Sequence, residues 1–281
     1  MGVKHVFDFT GKVAVVTGGG GVLCSAFSKA LASHGAKVAV LDLNLEAAQR
    51  VAEDIVSSGG VAQAVRCDVL NRESVLQAKE EVQQAFGGWD ILINGAGGNH
   101  PRGTLSQEFF APEDLERGES FFDLDLEGFR FVFDLNLLGT VIPTQVFGRE
   151  MARRGRGVII NIASMASFRA ITRVPAYAAA KAAVANFTQW LAVYLGKSGV
   201  RVNAIAPGFF LTQQNYRLLV AEDGSFTPRA QKILAHTPMG RLGEPQELIG
   251  TLLWLCDEEA SGFVTGAVIP VDGGFLAYAG V

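Results

Sequence analysis

The sequence predicts a three-layer α/β/α fold, in which helices cover both faces of a doubly wound parallel sheet within a single domain. Short apolar runs rich in β-branched residues alternate along the chain with segments whose apolar residues return at helical spacing. The links between these segments are short, as they are in right-handed βαβ units. With 281 residues and 49% apolar side chains, the chain can bury one large core.

The first βαβ unit contains a glycine-rich turn. A β-branched strand from Lys12 to Thr17 is followed directly by Gly18 to Gly21, and helical spacing then runs from Val22 to His34 before a second strand at 37–42. Such a unit directs the free N–H groups of the helix N-terminus at the turn, where a pyrophosphate can bind. The consecutive glycines could alternatively form no more than a flexible connection.

Asp42 ends the second strand. Its carboxylate is placed to accept hydrogen bonds from the ribose hydroxyl groups of an adenosine. A 2′-phosphate would meet this carboxylate at close range, and the next arginine along the chain is Arg50. The sequence therefore favours NAD over NADP.

The alternation continues to the C-terminus, and several strands end in polar or glycine-rich residues. Asp68 and the segment N-G-A-G at 94–97 follow two such strands, where doubly wound sheets bind ligands, although Asp68 could simply cap the next helix. The segments predicted after the first unit are helix 45–57, strand 61–67, helix 72–86, strand 90–94, helix 129–154 with a kink at Pro143, strand 157–163, helix 176–197, strand 200–206, helix 245–255 and strand 267–271.

Two long segments interrupt this pattern. Residues 98–123 contain proline, glycine, charge and paired phenylalanines without a clean period, and residues 209–229 begin with a polar stretch that includes Thr212 and Gln213. Long irregular loops in a compact domain are often lids or binding loops. We expect both segments to shape a substrate site.

The stretch from Asn161 to Lys181 carries the groups best suited to catalysis. Pro175 fits the first turn of a helix, and Tyr177 and Lys181 are four residues apart on one face of it. An ammonium beside a phenol favours the phenolate and lowers the phenol pKa towards neutrality, so Tyr177 can serve as a general acid or base. Both residues could alternatively be ordinary side chains of a surface helix.

Composition excludes several classes of function. The net charge is -4, the pI is about 5.6, and no run of lysines and arginines could follow a phosphate backbone, so nucleic acid is not an expected partner. Three scattered cysteines fit reduced thiols, and four scattered histidines lack metal-ligand spacing. Without a signal peptide or a membrane-length apolar run, we expect a cytoplasmic protein and no membrane partner.

The chain resembles the short-chain dehydrogenase/reductase family over essentially its whole length. The matching features are T-G-G-G at 17–20, Asp68, N-G-A-G, P-G-F-F-L-T at 207–212, Asn136, and Ser164 thirteen residues before Tyr177. The resemblance implies a Rossmann fold that binds NAD and interconverts a carbonyl with an alcohol.

The resemblance also implies roles for single residues. Tyr177 would be the general acid or base, Ser164 would hydrogen-bond the substrate oxygen, Lys181 would lower the tyrosine pKa and bind the nicotinamide ribose, and Asn136 would hold a water. The dinucleotide would contact Gly18, Gly21, Val22, Leu23, Asp42, Asp68, Val69, Asn94, Ala96, Gly97, Tyr177, Lys181, Pro207, Gly208 and Thr212.

One departure from the family pattern concerns the glycine turn. The family motif T-G-x-x-x-G-x-G reads T-G-G-G-G-V-L-C here, so Val22 and Cys24 replace two glycines. A side chain at either position could raise the backbone or move the helix away from the sheet. We still expect NAD to bind, while the sequence leaves the exact pyrophosphate position open.

The loop after Gly97 points to an anionic sugar-acid substrate. Five segments, among them G-G-N-H-P-R-G and H-T-P-M-G-R, resemble the D-mannonate oxidoreductases (fructuronate reductases) of the family, which implies interconversion of D-fructuronate and D-mannonate. Arginine holds a carboxylate bidentately, so we expect Arg102, with His100 or Gln213, to bind the substrate beside Ser164 and Tyr177. Arg102 could alternatively be a solvated surface residue.

Two other interpretations remain at the level of sequence. The substrate could be a gluconate, a polyol or an acyl thioester, or the chain could be a dinucleotide-binding sensor without catalysis. Members of the family are usually tetramers, so a homotetramer or a dimer is expected. Trp190 and Trp254 could lie at an interface or in the core.

Overall fold

In the computed structural model, which describes residues 7–212 and 216–280, seven parallel strands form one sheet in the order β3-β2-β1-β4-β5-β6-β7. The order reverses direction between β1 and β4, so the predicted doubly wound sheet in a single domain is confirmed. The strands are β1 Val13–Thr17, β2 Lys37–Asp42, β3 Val61–Arg66, β4 Ile91–Asn94, β5 Gly157–Ile162, β6 Val200–Pro207 and β7 Val268–Val271.

Helices cover both faces of the sheet. The helices are α1 Val22–Ser33, α2 Leu45–Ser57, α3 Arg72–Phe86, α4 Glu113–Arg117, α5 Leu126–Arg154, α6 Pro175–Leu195, α7 Tyr216–Leu219, α8 Pro228–Ala235, α9 Ile249–Cys256 and α10 Glu258–Ser261. Alternate residues of β1 face opposite layers of helices: Ala14 and Val16 pack with α1, α2 and α9, whereas Val13 and Val15 pack with α3, α5 and α6.

The two segments expected to be irregular contain short helices. A single turn at Pro101–Gly103, α4 and a turn at Phe121–Asp123 lie in the first segment, while α7 lies in the second and α8 begins at its end. The expectation of structureless loops was therefore wrong in part, because helices of one or two turns are too short to show a helical period. The predicted helix 245–255 also divides into a 3₁₀ turn at Pro245–Leu248 and α9.

The longest helix, α5, is a core element. It runs unbroken through Pro143, and Val146, Phe147 and Met151 are buried against the sheet. With α4 it lies in Glu113–Arg154, the one stretch among the described residues that is long and apolar enough to cross a membrane; half of its most apolar window is buried in the protein. A buried helix of a soluble domain passes the same test of length and composition.

Candidate active site

The N-terminus of α1 faces the glycine turn with its N–H groups available. In the described part of the chain, no side chain caps α1 at Gly21, whereas Asn44 caps α2 and Asn71 caps α3. The first N–H groups of a helix have no intrahelical acceptor, and a phosphate can satisfy them. Of these three helices, α1 alone has no side-chain cap, which leaves its first N–H groups free to bind a pyrophosphate at the predicted position.

Asp42 lies directly against this turn. Its Oδ2 accepts a hydrogen bond from the N–H of Gly20 at 3.0 Å, and its Oδ1 accepts one from the N–H of Asn44 at 2.9 Å. A Cβ on Gly20 would lie 3.0 Å from Asp42 Oδ2 and 2.7 Å from Ala47 Cβ, so glycine is needed for this approach. The carboxylate is held at the end of β2, where the adenosine ribose of NAD fits.

Thr17 joins the two strands on either side of the crevice. Its Oγ1 accepts hydrogen bonds from the N–H groups of Gly95 at 3.1 Å and Ala96 at 3.3 Å. A Cβ on Gly18 would lie 2.8 Å from the backbone of Ala96, so the turn after β1 and the segment after β4 are in close contact. Thr17 was not among the residues predicted from the sequence, although its position at a strand end was a signal for this role.

Cys24, which stands where the family motif has a glycine, packs against Gly95 across the crevice. The Cys24 side chain is buried, and its Sγ occupies the space that a Cβ on Gly95 would need. Gly95 therefore makes room for the larger residue on α1, and close packing of the helix against β4 is preserved. Burial also raises the pKa of the Cys24 thiol to about 12.

The four predicted catalytic residues lie close together near the end of β5 and the start of α6. Ser164 caps a 3₁₀ turn at Met165–Ser167, and its hydroxyl is within hydrogen-bonding reach of the Tyr177 phenol in the first turn of α6. One turn later, Lys181 Nζ lies 5.7 Å from the centre of the Tyr177 ring. Asn136 on α5 is close as well, because a Cβ on Gly97 would lie 2.7 Å from Asn136 Oδ1 and 3.3 Å from Lys181 Nζ.

The electrostatics of this group are dominated by burial. Burial lowers the pKa of Lys181 to about 8, and its Nζ donates a hydrogen bond to the carbonyl of Ile162 at 2.7 Å. Burial also raises the pKa of Tyr177, and the hydrogen bond with Ser164 opposes that rise. In the protein alone, the Tyr177 phenol therefore holds its proton more tightly than a free phenol does, and the lowering of its pKa expected from Lys181 is not found.

Asn136 fixes the start of the first substrate segment. Its Nδ2 donates to the carbonyl of Gly98 at 2.7 Å and to that of Val132 at 2.7 Å, and its Oδ1 accepts from the N–H of Gly98 at 3.2 Å. This buried carboxamide thus holds the backbone beside Lys181 in a fixed position. Another such contact, from Ser167 Oγ to the carbonyl of Lys181 at 2.6 Å, was not anticipated from the sequence.

Most of the other predicted cofactor residues line the same edge of the sheet. Asp68 accepts from the N–H of Leu70 at 3.0 Å and does not cap α3, whose cap is Asn71, so the capping alternative is wrong. Gly208 packs closely on the turn after β7, where a Cβ would lie 2.6 Å from Asp272 Cα. The remaining residues that the sequence placed at this edge are Val22, Leu23, Val69, Asn94, Pro207 and Thr212.

The predicted substrate residues Arg102 and His100 contact the start of α5 and their own segment. Arg102 is exposed, and its Nε donates to Asp125 Oδ2 at 2.5 Å. His100 packs edge-to-face on Phe131 at 5.4 Å, and its Nδ1 accepts from the N–H of Arg102. Gln213 lies outside the described residues.

Comparison with known proteins gives consistent matches over the whole chain. The family model described as enoyl-(acyl carrier protein) reductase matches residues 22–276. An uncharacterized oxidoreductase of Bacillus subtilis (strain 168), UxuB, is 53% identical over 274 residues, which are 98% of each chain. The 7alpha-hydroxysteroid dehydrogenase of Escherichia coli (strain K12) is 34% identical over 265 residues, which are 94% of each chain.

A solved structure is similar in both fold and sequence. It is that of a proposed D-mannonate oxidoreductase from Haemophilus influenza with bound NAD, and it matches this chain with a TM-score of 0.93 and 52% identity. The match covers 98% of each chain. The matched part of the chain therefore includes the glycine turn, α6 and both long irregular segments.

Proposed function

This chain belongs to the short-chain dehydrogenase/reductase family and is an NAD-dependent oxidoreductase, and we propose that its substrates are D-fructuronate and D-mannonate. One observation carries the choice of substrate: the structure of the proposed D-mannonate oxidoreductase with bound NAD matches this chain at 52% identity over 98% of both chains. The same pair of sugar acids was indicated by the sequence segments around the substrate loops.

In the proposed mechanism, Tyr177 transfers the proton and Ser164 fixes the reacting oxygen. When bound, NADH supplies the hydride for the ketone carbon, and NAD⁺ accepts it in the reverse direction. In reduction the ketone oxygen gains negative charge, which the Ser164 hydroxyl stabilises by a hydrogen bond while the Tyr177 phenol donates its proton. Because the raised pKa keeps the phenol protonated in the free protein, reduction begins from the required form.

Lys181 and Asn136 support this step through position and charge. The ammonium of Lys181 lies near the Tyr177 ring and stabilises the phenolate left after proton transfer. Lys181 Nζ and the Asn136 carboxamide both flank Gly97, so the backbone there is held between α5 and α6. Asp42 would bind the adenosine ribose and disfavour a 2′-phosphate.

The direct test is a steady-state assay of D-fructuronate with NADH and with NADPH. We expect turnover with NADH and a preference for it of at least tenfold in kcat/KM, and we expect Asp42→Ala to reduce that preference by about tenfold through loss of charge repulsion. Asn44→Ala is the matched control, because it removes a neighbouring side chain and keeps the carboxylate. No turnover of D-fructuronate or D-mannonate would refute the substrate assignment.

We also propose that the enzyme is a cytoplasmic homotetramer or dimer. Phe187, Trp190 and Tyr194 form a stacked aromatic row on α6, and Trp190 is 55% exposed in the single chain. A patch of this kind is typical of a protein interface. Light scattering of the wild type and of Trp190→Glu tests the assembly; a monomeric wild type would contradict it.

A further inference from the structure

Two arginines from separate segments come together at the rim of the cleft. Arg173 lies two residues before α6, and Arg229 lies in the first turn of α8. Both are near Glu108 of the first substrate segment, with Arg229 Nη1 3.9 Å from Glu108 Oε1. Lys232 Nζ also contacts Glu108 Oε2 at 2.9 Å. This rim cluster, defined as Arg173, Arg229, Lys232 and Glu108, contains more positive charge than negative charge.

The rim cluster is on the same side of the sheet as the catalytic hydroxyls. Arg173 stands on the segment that joins Ser164 to Tyr177, nine residues after the first and four before the second. Leu105 of the first substrate segment exchanges two hydrogen bonds with Arg173: its N–H donates at 2.8 Å, and its carbonyl accepts from Arg173 Nε at 2.9 Å.

Arg229 reaches the same place from the other side of the cleft. Its neighbour Ala230 is buried with Ile233, and these two residues pack on Phe209 and Leu211, which follow the end of β6. Three separate segments of the chain therefore contribute to the rim cluster.

Among the described residues, the rim cluster sets three cations against the single carboxylate of Glu108. The Arg229 side chain is only 19% exposed, and burial together with the charge of Arg173 lowers its pKa. Holding two guanidinium groups together at a half-buried position is unfavourable unless an anion joins them. Glu108 supplies one carboxylate, which is shared with Lys232. A second carboxylate, from a ligand, would reduce the excess of positive charge in the cluster.

The backbone of Arg173 is held in an unusual conformation. Its φ is 75°, and it is the one residue other than glycine with a positive φ among residues 7–212 and 216–280. A long side chain in this region is strained, and such strain is typically found at functional sites. The two hydrogen bonds with Leu105 maintain the conformation.

We propose that Arg173 and Arg229 bind the carboxylate of the substrate and so determine its specificity for sugar acids. The proposal rests on the proposed function, since D-fructuronate carries its ketone and its carboxylate at opposite ends of the carbon chain. The ketone end binds at Ser164 and Tyr177 in the crevice, and the carboxylate end extends to the rim. Arg102 already pairs with Asp125 and is more exposed, with 61% of its side chain accessible.

The test compares Arg173→Gln and Arg229→Gln with Arg117→Gln, an exposed arginine on α4 of the same segment. Loss of a charged hydrogen bond to the carboxylate predicts that KM for D-fructuronate rises about tenfold or more in the first two variants, with kcat changed less. The Arg117→Gln variant keeps the wild-type KM. The dissociation constant of NADH, measured by fluorescence, stays unchanged in all three and shows that they are folded.

Two results would overturn the assignment, and they are distinguishable from failure of the proposed function. An unchanged KM in both Arg173→Gln and Arg229→Gln, with a wild type that reduces D-fructuronate, refutes the arginine pair alone. A tenfold rise in KM for D-fructuronate in Arg102→Gln, with no rise in the other two variants, would show that Arg102 binds the carboxylate instead. A wild type that binds NADH and does not turn over any hexuronate refutes the proposed function and the substrate named here.

Discussion

The two sides of the catalytic cleft are built from different kinds of structure. The cofactor side consists of the ends of β1, β2 and β4 and the N-terminus of α1, all of them regular elements with short links. The proposed substrate side consists of residues 98–125 and 216–237, where single turns and short helices are joined by irregular backbone. Specific contacts on the cofactor side follow from strand register, whereas those on the substrate side depend on individual side-chain pairs.

This difference shows how one scaffold can serve many substrates. On the cofactor side, a substitution at Gly18 or Gly20 would collide with backbone or with a packed side chain. On the substrate side, Arg102 with Asp125 and Lys232 with Glu108 form exposed ion pairs that can change without disturbing the core. If the two sides are independent, a substitution on the substrate side should leave the affinity for NADH unchanged.

The largest effect is expected for Tyr177→Phe, which removes the proton donor at the boundary of the two sides. We expect kcat to fall by about 10²- to 10⁴-fold, the range typical of lost general acid catalysis, with a much smaller change in the NADH dissociation constant. Stopped-flow turnover and fluorescence titration measure the two quantities. Tyr194→Phe, a substitution of an exposed tyrosine on the same helix, is the control. A catalytically normal Tyr177→Phe enzyme would contradict the proposed mechanism.

A smaller effect, on the pH dependence of the free energy of unfolding, is expected from the buried ammonium of Lys181. Its folded-state pKa is about 8, below the ordinary value of 10.5, so the unfolded chain binds more protons between these pH values. The free energy of unfolding of the wild type, relative to Lys181→Met, should therefore rise with pH across this window, by about 3 kcal/mol in total. Urea unfolding at several pH values measures it; a difference that falls with pH would show that the ammonium is stabilised.

The next effect in size concerns stability and comes from the contact between Cys24 and Gly95. Gly95→Ala should lower the free energy of unfolding by roughly 1–3 kcal/mol, because the added methyl overlaps Cys24 Sγ. Adding Cys24→Ala should recover only part of the lost stability, because the new Cβ would still lie 2.9 Å from the Thr17 carbonyl oxygen. Denaturant unfolding of the four proteins in this cycle measures the coupling, and strictly additive effects would show that the two residues do not compensate each other.

The smallest effect is expected for Arg102→Ala on the substrate side. The ion pair with Asp125 is exposed, so the urea midpoint and the NADH dissociation constant should both stay at their wild-type values. Arg102→Lys serves as a matched variant that keeps the charge. A large loss of NADH affinity in Arg102→Ala would show that the two sides of the cleft are coupled.

The cofactor side could be predicted from the sequence because its residues follow local patterns. Strand, glycine turn and helix occur within one unit, and Asp42 marks the end of the second strand. The positions of Tyr177 and Lys181 on α6 were also predictable, because helical spacing fixes which residues share a face. The polar residues at the strand ends were brought to one edge by the parallel topology alone.

The substrate side could not be predicted in the same way because its contacts join distant parts of the chain. Tertiary packing, which no local pattern encodes, brings Arg173 into hydrogen bonding with Leu105 and Arg229 close to Glu108. The positive φ of Arg173 was equally hidden, since arginine is not a residue that favours that conformation. The compensation of Cys24 by Gly95 was open to prediction only if the two motifs had been compared with each other.

The thiol packed behind the glycine turn gives a way to time the motions of the crevice. Burial holds the pKa of Cys24 at about 12, and Cys67 and Cys256 share this protection. Alkylating reagents attack thiolates, so each cysteine reacts only when its surroundings open. The labelling rate of Cys24 therefore reports how often α1 separates from the segment after β4, an event that turnover measurements do not detect.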